Sequence, residues 1–267
     1  MQPLSDFTQN ALRKIRFVLT DIDDTLTENG SLPAKSYQAL ESLQQAGLKV
    51  IPITGRPAGW CDHIARMWPV EGVVGENGAL YFVYDSVNGK LKQRYWKNES
   101  ARASDRKRLE QLRKIILAKV EGCDVASDQN YREADLAIDF CEDVPTLSKS
   151  AVKQIVDIFE QAGAIAKVSS IHVNGWFGDY DKLAMTRIFL AECLQTEMDS
   201  SQDIVVFCGD SPNDAPMFGF FDNSVGVANV LDFADNLEQQ PRWITKNRTA
   251  AGFVELAETI LHAHSTT

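Results

Sequence analysis

What this chain of 267 residues lacks narrows its class before any motif is read. Its five cysteines (Cys61, Cys123, Cys141, Cys193 and Cys208) are odd in number, scattered and free of any Cys-x-x-Cys pair, so nothing suggests a disulfide framework or a zinc site. Thiols used in this way fit a cytoplasmic protein. No run approaches the roughly 20 apolar residues that cross a bilayer. Met1 to Arg16 likewise has no apolar core of about 7–15 residues, which a signal peptide requires. The expectation is a cytoplasmic protein without a membrane segment. Cationic charge is also scarce: 27 Lys and Arg against 37 Asp and Glu give a formal net charge of -10. That balance argues against a nucleic-acid partner, whose phosphates need clustered Lys and Arg. The densest basic stretch, Arg102 to Lys114, reads as the solvated face of a helix. No internal repeat or low-complexity tract is evident, so the chain is not a solenoid.

What is present is 44% apolar residues, ample for packed cores in one large domain or two modest ones. From Arg16 to Phe82 short apolar runs alternate with amphipathic segments. The expected elements are strand Arg16–Thr20, helix Ser36–Gln45 closed by Gly47, strand Leu48–Ile53, helix Trp60–Met67 and strand Gly72–Val74. The same grammar returns near the C-terminus as helix Leu183–Leu194, strand Ile204–Cys208, a helical turn near Ala215, strands Val225–Val227 and Trp243–Thr245, and helix Gly252–His262. Such alternation implies an α/β fold, a Rossmann-like domain around a parallel sheet. The middle reads differently. A hairpin over 83–95 is expected around Asn88-Gly89, followed by helix Asp105–Val120, strand Leu136–Phe140, helix Leu147–Gln161 and strand-rich Ala164–Val173. We therefore expect a core domain of residues 1–83 and 177–267 with a smaller α+β domain, 84–176, inserted into it.

Polar clusters sit where the core strands end. Asp21-Ile22-Asp23-Asp24-Thr25 follows Phe17-Val18-Leu19, and Asp21 and Asp23, two apart, fall on one side of an extended chain. Their repulsion needs a metal, a shared proton or a cationic partner. Taken alone, the motif also reads as a strand stop with a capping turn. Pro52-Ile53-Thr54-Gly55-Arg56 offers a hydroxyl and freed backbone N–H groups, suited to an oxyanion or equally to an ordinary helix cap. Lys182 stands at an expected helix start and reads by itself as a surface lysine. Phe207-Cys208-Gly209 runs into Asp210-Ser211-Pro212-Asn213-Asp214, whose oxygens suit a hard cation such as Mg²⁺ or an Asx-rich turn.

In this order the four clusters resemble the motifs of the haloacid dehalogenase superfamily of phosphatases. The position of the insert, between the second and third motifs, is similar to the type-two α+β cap of the sucrose-phosphatase, mannosyl-3-phosphoglycerate phosphatase and Cof-type group. Glu76-Asn77-Gly78-Ala79 also resembles a string common there. Two positions depart from the pattern: Asp24 and Leu183 stand where many relatives have Gly.

The resemblance implies a Mg²⁺-dependent phosphatase acting on a small phosphorylated metabolite, a sugar phosphate. Asp21 would be the nucleophile and Asp23 the general acid and base. Asp21, the Asp23 carbonyl, Asp210 and Asp214 would hold Mg²⁺, and Thr54, Gly55, Lys182 and Asn213 the phosphate. Arg56, His172, Asn174 and Trp176 are expected substrate contacts, although Trp176 reads equally as hinge or core packing and His172 more readily as a cap strand residue than as a ligand. A phosphohexomutase of similar fold and a non-catalytic sugar-phosphate sensor remain open on the sequence.

Overall fold

Phe17–Thr20, Lys49–Pro52, Val205–Gly209 and Ser224–Gly226 are short runs buried almost throughout, the pattern of strands covered on both faces by helices. In the computed structural model, which describes residues 1–265, they are the centre of a six-stranded sheet. Its order is Gln2–Pro3, Trp243–Ile244, Ser224–Gly226, Val205–Gly209, Phe17–Thr20 and Lys49–Pro52, every pair parallel. The N-terminal edge strand is an addition to the sequence reading; two residues are too few to show a period.

Alternation along the strands divides the core in two. Val18, Val50, Val206 and Val225 pack on one side with Leu40, Leu43, Phe253 and Leu256 from the helices Ala34–Gln45 and Thr249–Ser265. Phe17, Leu19, Ile51 and Phe207 pack on the other with Met185, Phe189 and Met217 from Lys182–Leu194 and Ala215–Phe220. The helix Ala34–Gln45 stops where Gly47 takes a left-handed φ of 81°, which costs least at glycine. Strand order reverses between Phe17–Thr20 and Val205–Gly209, and a crevice at their carboxyl ends is the usual place for a ligand in such a sheet.

The inserted segment forms a second layer. Asp124–Val125, Asp135–Asp139, His172–Trp176 and Ile165–Val168 make an antiparallel four-stranded sheet in that order. Leu136, Ile138 and Val173 face the helices Glu99–Lys119 and Lys149–Gln161, where Leu112, Ile116 and Phe159 pack on them. Because strand side chains alternate, Asp135, Asp139, His172, Asn174 and Trp176 share the opposite face. Gly175 is required: a Cβ there would lie 2.2 Å from the Phe159 ring.

The hairpin forms as expected around Asn88-Gly89, from Leu80–Asp85 and Lys90–Tyr95. It does not join the inserted sheet, however. Leu80–Asp85 pairs with Val73–Gly75, which meets the core through an Ile53–Val74 bridge. Residue 84 thus lies inside a strand continuous with the core layer. The following helix starts at Glu99, ahead of the expected Asp105, because the Asn98 side chain caps it by accepting the Ala101 N–H at 2.9 Å. Its basic residues are paired locally, Arg102 with Glu99, Arg106 with Glu99 and Glu133, and Arg113 with Glu110. No helix among the described residues is long and apolar enough to cross a membrane.

Candidate active site

The strand Phe17–Thr20 extends its ladder by one bond, Asp21 N–H to the Cys208 carbonyl at 2.9 Å, and this fixes Asp21 at the reversal of strand order. The chain then turns beneath Asp21. The Ile22 side chain is buried and its carbonyl accepts N–H bonds from Leu26 and Thr27. Asp24 sits at φ 53°, the left-handed region that glycine takes without strain and Asp tolerates better than most residues. This accounts for the exchange of Asp for Gly at that position. Asn229 holds the strained unit, donating to the Asp24 carbonyl at 3.1 Å.

Lys182, the first residue of its helix, has a buried ammonium that donates to Asp21 Oδ1 at 3.0 Å and Asp214 Oδ1 at 2.7 Å. Burial opposes its charge, but Asp21 and Asp214 outweigh that and raise its pKa above the usual lysine value. The second oxygen of Asp214 accepts the N–H groups of Asp210 (3.0 Å) and Ser211 (3.3 Å), so both its oxygens already serve to shape the loop. Asp210, fully buried, accepts from Thr25 Oγ1 at 3.2 Å and Asn229 Nδ2 at 2.9 Å and has no ion pair among the described residues. Burial, reinforced by Asp21 and Asp214, drives its pKa well above the usual carboxylate range. Asp21 is pushed up to about 7, chiefly by burial, against the pull of Lys182.

Asp21, Asp210 and Asp214 offer ligand oxygens all within 4.8 Å of one another. Three buried carboxylates beside a single ammonium leave negative charge uncompensated, and a hard divalent cation fits that deficit and this all-oxygen set. Asp23 lies outside the cluster. Its carboxylate is forked by Arg56, Nε reaching both oxygens at 3.0 Å and Nη2 reaching Oδ1 at 2.8 Å. The repulsion expected between Asp21 and Asp23 is thus relieved by two different cations, Lys182 and Arg56.

Thr54, fully buried, accepts the Arg56 N–H at 3.0 Å through Oγ1. Asn213 is tied to Ser211 (2.8 Å) and Asn77 (3.3 Å) and lines the cleft with Asp21, Asp23 and Gly55. From the inserted layer His172 and Asn174 line the same cleft, with Ser169, Ser170 and Arg132. Asn174 donates to Asp135 at 2.9 Å, and His172 Nε2 lies 2.8 Å from Glu142 Oε2, off the line a hydrogen bond needs. Trp176 is not brought to the cleft. It is 1% exposed and stacks on Tyr180 with centroids 5.5 Å apart, because its strand position lies where the chain re-enters the core. Arg56 is likewise no free contact, since Asp23, Glu142 and Asp128 occupy its guanidinium.

The structure adds Arg132, which the sequence did not single out, and gives Glu76 of the Glu76-Asn77-Gly78-Ala79 string a partner set. Arg132 spans Asp128, Asp135 and the Gly55 carbonyl, and Glu76 accepts N–H groups from Ala58, Glu133 and Ala134. Both tie the layers together, and no local pattern announces Arg132. The cleft they enclose is about 10 Å³, room for about one water molecule.

Residues 18–134 match the haloacid dehalogenase-like hydrolase family. No curated protein sequence matches the chain. Among solved structures, a Thermoplasma acidophilum protein is 19% identical with a TM-score of 0.69, covering 92% of this chain and 98% of its own. Sucrose-phosphatase from Synechocystis sp. PCC6803, solved with sucrose and phosphate, is 17% identical with a TM-score of 0.61, covering 93% and 98%. A haloacid dehalogenase subclass IIB sugar phosphatase is 13% identical with a TM-score of 0.60, covering 91% and 98%.

Proposed function

We propose that this chain, whose residues 18–134 match the haloacid dehalogenase-like hydrolase family, hydrolyses a small phosphomonoester, a sugar phosphate, with Mg²⁺ and through an aspartyl-phosphate on Asp21. One observation carries the reading: Asp21, at the sheet's switch point, meets Lys182 on one side and the Asp210–Asp214 pair on the other, with the Asp23 carboxylate two residues on. A lone buried carboxylate would be protonated and inert as a nucleophile; the 3.0 Å bond from Lys182 opposes that and directs Oδ1. Attack by Asp21 replaces one difficult displacement with two easier ones. Asp23 gives a proton to the departing oxygen, then takes one from the water that opens the intermediate. Lys182, Thr54 and the Gly55 N–H would meet the phosphoryl oxygens, with Asn213 beside Gly55 in the cleft. Bound by Asp21 and Asp210 with Asp214 shaping the loop, Mg²⁺ would offset the charge of the incoming phosphate.

The leaving group would be read by the polar face of the inserted layer, His172 and Asn174 with Ser170. The sugar phosphatases of like fold support a phosphorylated small metabolite as substrate, and the five free cysteines support a cytoplasmic setting. We place the division between core and cap after the hairpin, with the cap running from Asn98 to Trp176, because the hairpin pairs with the core strand Val73–Gly75. The test is phosphate release from hexose phosphates, phosphorylated disaccharides, phosphoglycerate glycosides, phosphoglycolate and nucleotides, with and without Mg²⁺, beside Asp21→Asn. Metal-dependent release that Asp21→Asn abolishes is the expected result; silence across the panel overturns it.

A further inference from the structure

Arg56 contacts the proposed acid/base carboxylate and the cap at once. Its guanidinium lies 4.4 Å from the Trp60 ring, is 5% exposed, and meets Asp23 in the forked geometry described above. On its far side Nη2 donates to Glu142 Oε1 at 2.8 Å and Nη1 to Asp128 Oδ2 at 3.4 Å, both residues of the cap. These cap carboxylates are themselves fixed. Asp128 is held by Arg132 at 3.0 and 3.2 Å, and the Glu142 N–H is bound by Asp139 at 2.8 Å. His172 and Arg56 together pull the Glu142 pKa down to about 2, so it stays an anion.

One guanidinium is thus shared by three carboxylates, one catalytic and two mounted on a layer that must move. The cleft of about 10 Å³ admits no phosphomonoester. Substrate entry separates the layers, and the bonds at risk include Arg56 to Glu142 and Arg56 to Asp128. Without them the guanidinium keeps Trp60 and Asp23 but loses the two anchors that set its height against the cap. A guanidinium is planar and its donors are fixed in direction, so moving it turns the carboxylate that it forks.

We propose that Arg56 is a positioning residue that orients the Asp23 carboxyl, and that Glu142 and Asp128 make this orientation depend on cap closure. The inference rests on the proposed roles of Asp21 and Asp23. In the first half-reaction the Asp21 oxygen forms its bond to phosphorus while the bond from phosphorus to the leaving oxygen breaks. The electron pair stays on that oxygen, which takes a proton from Asp23; Asp23 must therefore enter the step protonated on one oxygen, with Arg56 held by the other, and leaves it as the carboxylate that then takes a proton from water. An Asp23 turned away leaves an alkoxide to depart unprotonated, which is slow for a sugar and of little consequence for a nitrophenolate.

The experiment compares kcat and KM for the best sugar phosphate and for p-nitrophenyl phosphate in wild type, Arg56→Ala, Arg56→Lys and Glu142→Gln, all with Mg²⁺. Arg56→Ala is expected to lower kcat for the sugar phosphate at least tenfold more than for p-nitrophenyl phosphate. Arg56→Lys should recover only part of the gap, because an ammonium cannot fork the carboxylate, and Glu142→Gln should show a smaller gap in the same sense. Equal losses on both substrates, or a rise in KM alone, would make Arg56 a binding or structural residue and overturn the proposal. If Arg56→Ala does not fold, Glu142→Gln decides: an unchanged ratio of the two kcat values overturns it. A wild type inert toward both substrates is a different failure, that of the phosphatase reading itself.

Discussion

Asn229 donates its side-chain amide to Asp210 Oδ2 at 2.9 Å and, with the same nitrogen, to the Asp24 carbonyl at 3.1 Å. Its own oxygen accepts the Thr249 N–H at 2.8 Å, at the start of the last helix. One amide therefore locks the loop after Phe17–Thr20 to the loop after Val205–Gly209, the two that carry the buried carboxylates.

If that lock orients the cation site, Asn229→Ala should weaken Mg²⁺ binding about 10–100-fold, the usual cost of removing a partner that aims a ligand. Titration calorimetry on the folded variant checks this. An unchanged affinity would show that Asp210 is aimed by Thr25 and the backbone alone.

Asp21→Asn keeps the volume of the side chain and removes the attacking oxygen's charge. Lys182 retains Asp214 at 2.7 Å. We expect a melting temperature within a few degrees of wild type and no measurable turnover, read by circular dichroism and phosphate release; residual activity near wild type would place the nucleophile elsewhere.

Removing the buried cation should be harsher than removing one anion. Lys182→Met leaves Asp21 and Asp214 buried without their shared partner, a change that destabilises by about 3–5 kcal/mol when a buried pair is broken. Denaturant unfolding in chelator should show this loss, and Mg²⁺ should restore part of it, since a ligand that binds only the folded chain stabilises it. A loss under about 1 kcal/mol would mean that proton uptake by the carboxylates or hydration of the site relieves their charge without Lys182.

Glu76 gives a pH dependence with a defined sign. Its carboxylate is buried beneath Ala58, Glu133 and Ala134 N–H groups, and burial, helped by Asp135, raises its pKa from 4.5 to about 7. The folded chain therefore holds this proton more tightly than the unfolded chain. Its contribution to stability is fully present below pH 4.5 and is lost as pH rises through 7. The span corresponds to about 3 kcal/mol. Urea unfolding between pH 4.5 and 8 without Mg²⁺ should show a flatter slope in Glu76→Gln than in wild type; parallel slopes would assign the titration to another carboxyl, Asp21 first.

The parts of this protein that a short stretch of chain can encode were legible in it. Apolar runs of four or five residues ending in Asp, Thr or Gly specify strands whose carboxyl ends are polar, and all such ends fall at one edge because parallel pairing aligns them. Asp21, Thr54 and Asp210 stand at such ends, whereas Lys182, at a helix start, reads by itself as a surface lysine and was singled out only by the resemblance. Asn88-Gly89 specified its hairpin, since the turn needs a residue free to take φ 63°.

Which partner each of these pieces meets was decided only by the tertiary structure. Turn chemistry fixes a hairpin but not its third strand, so the cap boundary drawn at residue 84 cut a sheet that begins at Val73. Trp176 carries the same side chain whether it reads a substrate or stacks on Tyr180, and only the re-entry of the chain into the core chose the second. Arg56 reads as a substrate contact in the sequence because its three carboxylates stand 33, 72 and 86 positions away. Electrostatic pairing depends on distance in space and on exclusion of water, and neither is a property of a local segment. The sequence thus determined the strands and the chemistry at their ends, while packing of the inserted layer against the core decided which charges neutralise one another and which stay without an ion pair.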